Sequence, residues 1–154
     1  MRALIALALF FTACLSKDDE LSEHMKIEHP NGVILVLSKD WSADKTPSGF
    51  RVSAQKSQFA RYPEEVLVSI KEKDWKPQGV WPLIRYLKER AIYYREDIEE
   101  GGSGGSTHIL TAWESIPNGY IMIEQHTQAE GMSSPNYSLA WKVIDSIGLS
   151  RAIK

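Results

Sequence analysis

The sequence lacks most of the features that would identify an enzyme, a nucleic-acid-binding protein or a membrane-spanning protein. Cys14 is the one cysteine among 154 residues, so no disulfide can form within the chain. The 18 lysines and arginines are balanced by 20 acidic residues, and no basic run alternates with aromatic residues as in nucleic-acid-binding proteins. Past residue 13, no apolar stretch is long enough to span a bilayer. These absences leave a single domain with a mildly acidic net charge of −2.

The histidines do not have the spacing of a metal site. None of the four pairs with another at the four-residue spacing of a helical zinc site, the four being His24, His29, His108 and His126. His108 and His126 lie on strands predicted to be neighbours, which leaves a two-histidine site open beside the more ordinary hydrogen-bonded histidine. The sequence therefore predicts no metal, no cofactor and no catalytic centre.

The glycine-rich stretch Gly101, Gly102, Ser103, Gly104, Gly105 does not fit either of the catalytic motifs it resembles. A phosphate-binding P-loop needs a lysine and a serine or threonine directly after the glycines, and neither follows here. A Gly-x-Ser-x-Gly nucleophile lies between a strand and a helix, whereas this stretch follows an acidic run and precedes a strand. Two interpretations stay open, a flexible hairpin connection and a recognition loop whose small residues let a partner approach closely.

The amino-terminal residues resemble the lipobox of bacterial lipoproteins. A short apolar stretch after Arg2 ends in Phe11-Thr12-Ala13-Cys14, with Phe at the usual Leu position. The resemblance implies cleavage before Cys14 and lipid attachment to it. We therefore expect a signal peptide at 1–13, a lipidated tether at 14–23 and one domain at 24–154. Leu15 replaces the Asp that retains lipoproteins at the inner membrane, which favours the periplasmic face of the outer membrane.

Alternating and helical patterns predict an α+β domain. Turns at Asn31-Gly32 and Asn118-Gly119 predict antiparallel hairpins, with 33–37 a strand buried on both faces. Residues 82–94 repeat apolar side chains at three- and four-residue spacing and predict a helix, followed by a loop over 96–107. A second helix is predicted from Ser134 or Pro135 to Gly148, with one apolar stripe formed by Leu139, Ala140, Val143, Ile144 and Ile147. The expected fold is a twisted antiparallel sheet with two main helices packed on it.

One strand of the second hairpin presents a mixed face that suits protein binding. Ile121 and Ile123 alternate with larger and polar side chains, and Trp113 is expected across from them. Either this face binds a partner or one of the helices covers it. The predicted partner-binding residues are Gly101, Gly102, Ser103, Gly104, Gly105, Ser106, Tyr120, Met122, Glu124 and His126.

Three segments resemble the PsbP-like fold, whose members are generally binding or assembly modules. They are Leu37-Ser38-Lys39-Asp40-Trp41, Gly49-Phe50-Arg51-Val52-Ser53 and Trp141-Lys142-Val143-Ile144-Asp145-Ser146-Ile147. This resemblance implies a sandwich without catalysis. The implied function is that of an envelope scaffold or assembly lipoprotein.

By its size, its expected compartment and its lack of catalytic groups, the chain also resembles periplasmic immunity proteins of type VI secretion. That resemblance implies a non-catalytic lipoprotein that binds and inhibits a secreted cell-wall-degrading effector, a muramidase or an amidase. It implies contact with a protein partner, attachment to the membrane through the lipid only, and no nucleic acid. Both functions stay open at this point, and an adjacent gene for a secreted hydrolase would favour immunity.

Overall fold

The computed structural model describes residues 24–54, 64–101, 105–129 and 134–150. The predicted signal peptide, Cys14 and the tether lie outside the described residues, as do Gly102, Ser103 and Gly104. The elements within the described ranges are β1 (His24–Glu28), β2 (Val33–Ser38), β3 (Trp41–Thr46), β4 (Gly49–Ala54), β5 (Glu65–Lys71), β6 (Leu83–Leu87), β7 (Arg90–Glu100), β8 (Ser106–Ile116), β9 (Gly119–Ala129), α1 (Ser138–Ser146) and β10 (Ile147–Leu149).

The described strands form two sheets. The larger has seven strands in the order β3-β4-β5-β9-β8-β7-β6, and the smaller has three in the order β1-β2-β10. Every pairing is antiparallel. This result contradicts the expected α+β fold class, because the described ranges contain two sheets and one short helix, whereas a single sheet with two main helices was expected.

Residues 82–94 account for the missing helix. They form β6 and part of β7, which join at a turn where Lys88 takes a φ of 57°. Leu83 pairs with Tyr94 and Leu87 with Arg90. The three- and four-residue spacing of apolar side chains therefore comes from two paired strands and not from a helix. The loop predicted at 96–107 is also wrong in its bounds, since β7 runs to Glu100 and β8 begins at Ser106.

Both hairpins predicted from Asn-Gly pairs are confirmed. Glu28 pairs with Ile34 across the first turn, and Ile116 pairs with Gly119 across the second. A Cβ at Gly119 would collide with the backbone carbonyl oxygen of Lys71. The close approach of the end of β5 therefore requires glycine at this position. β2 is buried on one face only, because Val36 is 43% exposed.

The core lies between the inner faces of the two sheets and α1. Inward side chains from both sheets are fully or almost fully buried, among them Leu35, Phe50, Val66, Leu110, Ile121 and Ile123. The helix adds Leu139, Ala140, Val143 and Ile144, which confirms the apolar stripe predicted for the last helix. Ile147, predicted to end that stripe, instead begins β10. α1 contacts β2, β5 and β9 and therefore closes the core between the sheets.

Two polar side chains, one fully buried and one partly buried, fix α1 to the larger sheet. Gln125 is fully buried; its Nε2 donates to the Asn136 carbonyl at 3.1 Å, and its Oε1 accepts from the Ala140 N–H at 2.8 Å. At the other end of the helix, the Arg90 guanidinium donates to the carbonyls of Ile144 and Ile147 at 3.0 and 3.2 Å. No helix within the described ranges has the length and apolar character needed to cross a membrane.

Candidate functional site

Four of the predicted partner-binding residues share one face of β9. Tyr120, Met122, Glu124 and His126 alternate with buried Ile121, Ile123 and Gln125, and Met122 pairs directly with Trp113. We call the side that carries these four residues the outer face of the larger sheet. Because Gln125 binds the helix, α1 lies on the opposite, inner face, and neither of the two helices predicted from the sequence covers this surface in the described part of the chain.

An aromatic cluster occupies the half of the outer face nearest the β8–β9 turn. Trp113 stacks on Tyr93 with ring centroids 4.5 Å apart and 11° between planes, and meets Tyr120 edge-on at 5.8 Å. Trp75 and Trp81 come from the segment between β5 and β6 and pack on Tyr120 and Trp113 at 5.4 and 6.2 Å. These contacts give Tyr120 a packing role within the protein.

The other half of the outer face carries Glu124 and His126. His126 Nε2 lies 2.8 Å from Glu124 Oε1, and the two side chains follow each other at a two-residue spacing along β9. His126 is exposed and Glu124 is half-buried. The pair is accessible to a partner without displacement of the aromatic cluster.

Three strands of the larger sheet, β7, β8 and β9, extend beyond the ends of the flanking strands β5 and β6 as a three-stranded arm. β5 pairs with β9 only as far as Gln125, and β6 pairs with β7 only as far as Tyr94. Beyond these points, residues 96–100 of β7, 106–110 of β8 and 126–129 of β9 pair with one another, with Ser106 opposite both Glu100 and Ala129. We define these three segments as the arm.

The two described ends of the predicted glycine loop, Gly101 and Gly105, lie at the tip of the arm. The Gly101 N–H donates to the Gly105 carbonyl at 2.7 Å, which holds these two ends together. A Cβ at Gly101 would lie 2.8 Å from the Gly105 carbonyl oxygen, which explains why a residue without a side chain is needed there. Gly101 and Gly105 are exposed, and Ser106 is half-buried where β8 begins.

The structure therefore divides the predicted site in two. Ala129, opposite the loop end at Ser106, is three residues from His126 but nine residues from Tyr120. At about 3.3 Å per residue these separations are about 10 Å and about 30 Å. Glu124 and His126 lie near the loop, whereas Tyr120 lies beside the β8–β9 turn, next to an open depression of about 410 Å³.

The arm also carries a strongly acidic strand that the sequence analysis treated only as a flank of the loop. Glu96, Asp97, Glu99 and Glu100 occupy four of five consecutive positions on β7, and all are exposed. Burial, together with the nearby carboxylates of Glu96 and Asp97, raises the pKa of the Tyr137 phenol to about 12. The base of the arm thus lies in a negative electrostatic field.

Together these features define a β-sheet domain that presents a narrow, acidic projection. Within the described part of the chain, no three His, Cys, Asp or Glu side chains are grouped so that they could hold a metal ion. Residues 26–148 match the type six secretion immunity 3 domain, and the chain belongs to that family. It is similar to the Immune protein Tsi3 of Pseudomonas aeruginosa, with 26% identity over 145 residues that cover 93% of this chain and 94% of the relative.

Family membership decides between the two resemblances found in the sequence. The resemblance to type VI secretion immunity proteins is confirmed, whereas a PsbP-like relationship is not shown. The chain has a type VI secretion immunity function, and such a function implies binding of a protein effector. Immunity proteins generally act by binding, without catalysis.

Proposed function

We propose that this protein is a lipid-anchored periplasmic immunity protein that binds and inhibits a secreted effector, a muramidase or an amidase, that degrades the cell wall. Membership of the immunity family over residues 26–148 carries the proposal, because the match spans the described domain from β1 to β10. The lipobox-like Phe11-Thr12-Ala13-Cys14 supports the compartment, since a wall-degrading effector acts there.

The arm supplies the geometry for inhibition. An inhibitor of a polymer-degrading enzyme must reach into a groove shaped for a glycan or peptide strand. The glycine tip has little side-chain bulk because four of its five residues are glycine, and the hydrogen bond between Gly101 and Gly105 holds its two ends together. Glu124 and His126 lie about 17 and about 10 Å behind the loop end by strand spacing and are placed to contact the rim of such a groove.

The functional test compares growth with and without this protein. We expect a secreted hydrolase to be encoded beside this chain; its export to the periplasm of a laboratory bacterium should stop growth, and co-expression of this protein should restore it. Deletion of Gly102 to Gly105, or Glu124→Ala, should weaken the complex by at least about 2 kcal/mol, roughly thirty-fold in Kd. Isothermal titration calorimetry measures that loss.

The matched control is Glu72→Ala, which removes an exposed carboxylate far from the arm, at the end of the sheet with the β8–β9 turn. It should bind like the wild type. Failure of the wild type to restore growth would contradict the proposed function. Restored growth together with wild-type affinity in both variants would leave immunity standing and reject the arm tip and Glu124 as the contact.

Cys14→Ala tests the anchor. The substitution removes the thiol that accepts the lipid, so metabolic labelling with a radioactive fatty acid should mark the wild-type protein and leave the variant unlabelled. Fractionation should move the variant out of the outer membrane. Equal labelling of the two proteins would reject the lipoprotein assignment. The control is Ser16→Ala, two residues beyond the attachment site, which should be labelled like the wild type.

A further inference from the structure

Among the described residues, no strand pairs with the outer edge of β7 in the arm. β8 pairs with one side of residues 96–100, whereas β6 ends opposite Tyr94, so the described residues place no strand on the other side. All five residues are exposed, and Ile98 is 64% exposed. An edge of this kind presents main-chain N–H and C=O groups in the spacing that another extended chain requires.

The side chains along this edge select the charge of the chain that can pair with it. Strand alternation places Asp97 and Glu99 on the outer face with Tyr93, and Glu96 and Glu100 on the opposite face with Ile98. Arg95 Nε lies 2.9 Å from one Asp97 carboxylate oxygen and neutralises only part of this charge. Carboxylates therefore flank the edge on both faces.

The same charges oppose pairing between two copies of this protein. An antiparallel pair of two β7 edges would bring four carboxylates of each copy against four of the other, and like charges directly across a strand pair are destabilising. A strand with lysine or arginine at alternate positions would instead gain a charge-assisted contact at each of them. The edge is therefore matched to a basic partner rather than to a second copy.

We infer that residues 96–100 of β7 receive an extended, lysine- or arginine-rich segment of the effector, which adds to the sheet as a further strand. In such strand addition, main-chain hydrogen bonds supply affinity and the flanking side chains supply selectivity. The inference rests on the proposed function for the identity of the partner and locates its contact beside the glycine tip. The tip blocks the groove, and the edge holds the effector in position.

Synthetic peptides test the edge without the effector. The probe is a fluorescent hexapeptide of alternating lysine and valine, titrated into the full chain in non-ionic detergent and followed by fluorescence anisotropy. We expect its Kd to be at least tenfold lower than that of the glutamate–valine peptide. We expect the same advantage over a lysine–valine peptide N-methylated at every residue, which keeps the charge but has no N–H on either edge to donate to β7.

Two matched variants of the protein complete the design. Neutralising the edge should weaken binding of the lysine–valine peptide at least tenfold, the four substitutions being Glu96→Gln, Asp97→Asn, Glu99→Gln and Glu100→Gln. Removing the same number of exposed carboxylates elsewhere should change Kd less than twofold, the four being Glu28→Gln, Glu72→Gln, Asp74→Asn and Glu89→Gln. The second variant controls for net charge.

Each other outcome overturns the inference. Equal binding of the N-methylated peptide would mean ion pairing without strand addition. Tighter binding to the neutralised edge would mean that the carboxylates serve to prevent pairing, and absence of binding would mean that the edge does not accept a strand. Because these measurements contain no effector, their failure leaves the growth test of the proposed function untouched, and failure of that test leaves the peptide result standing.

Discussion

Ile144→Asp should unfold the domain, whereas Lys142→Asp should leave it folded. Ile144 is fully buried in α1, and Lys142 is exposed two residues away on the same helix. Loss of the isoleucine side chain costs about 2–5 kcal/mol, and burial of an unpaired carboxylate adds several more. The sum approaches or exceeds the roughly 5–15 kcal/mol by which folded domains are stable.

Lys142→Asp removes one weak contact, because the lysine Nζ lies 6.0 Å from the ring centroid of Trp41. An exposed cation–π contact is worth about 0.5–1 kcal/mol, so the midpoint of unfolding should fall by only a few degrees. Thermal unfolding followed by circular dichroism separates the two variants. A cooperative transition near the wild-type midpoint for Ile144→Asp would contradict the placement of α1 against the core.

Arg90→Leu should destabilise the domain by about 3–5 kcal/mol, the cost of breaking a buried ion pair from one side. The guanidinium binds Glu114 through two nitrogens, with the Nε at 2.7 Å from Oε2, and the Glu114 side chain is only 5% exposed. Its removal leaves a buried carboxylate without its partner. It also leaves the carbonyls of Ile144 and Ile147 without the donor that fixes the end of α1.

The controls for Arg90→Leu use pairs of similar chemistry. Arg51→Leu breaks an ion pair with Glu65 whose side chains are 57% and 38% exposed, and it should cost less than about 1 kcal/mol. The double variant Arg90→Leu/Glu114→Leu should be more stable than Arg90→Leu alone, because it leaves no unpaired buried charge. Urea unfolding measures all three; equal losses for Arg90→Leu and Arg51→Leu would contradict the structural role of the buried pair.

Local sequence signals predicted the parts of the fold that depend on neighbouring residues. Asn31-Gly32 and Asn118-Gly119 specify tight turns, and the last helix has an apolar stripe that only one side of α1 can present. Residues 82–94 carry no such signal. β6 is an edge strand with Ile84 and Tyr86 48% and 72% exposed, so its side chains do not alternate in polarity. Its turn uses Lys88 at positive φ, without the glycine that usually marks one.

The candidate site was likewise predictable only where a local sequence pattern determines it. Alternation in 120–126 placed four side chains on one face of β9, because that pattern belongs to a single strand. The contact of Trp75 and Trp81 with that face depends on the path of a segment far away in sequence. The acidic part of β7 was not predicted as a strand. Its residues are all exposed, so buried and exposed side chains do not alternate along it.

The arm has a consequence for how such proteins can diverge. Most of the described arm residues on β7 and at the glycine tip contribute little to the core, and substitutions at exposed positions usually change stability by no more than about 0.5 kcal/mol. On the inferred contact, a lineage could exchange charges along residues 96–100 to follow a changing effector without destabilising the fold. Specificity and stability would then depend on separate sets of residues, so a new partner could be matched by a few surface substitutions.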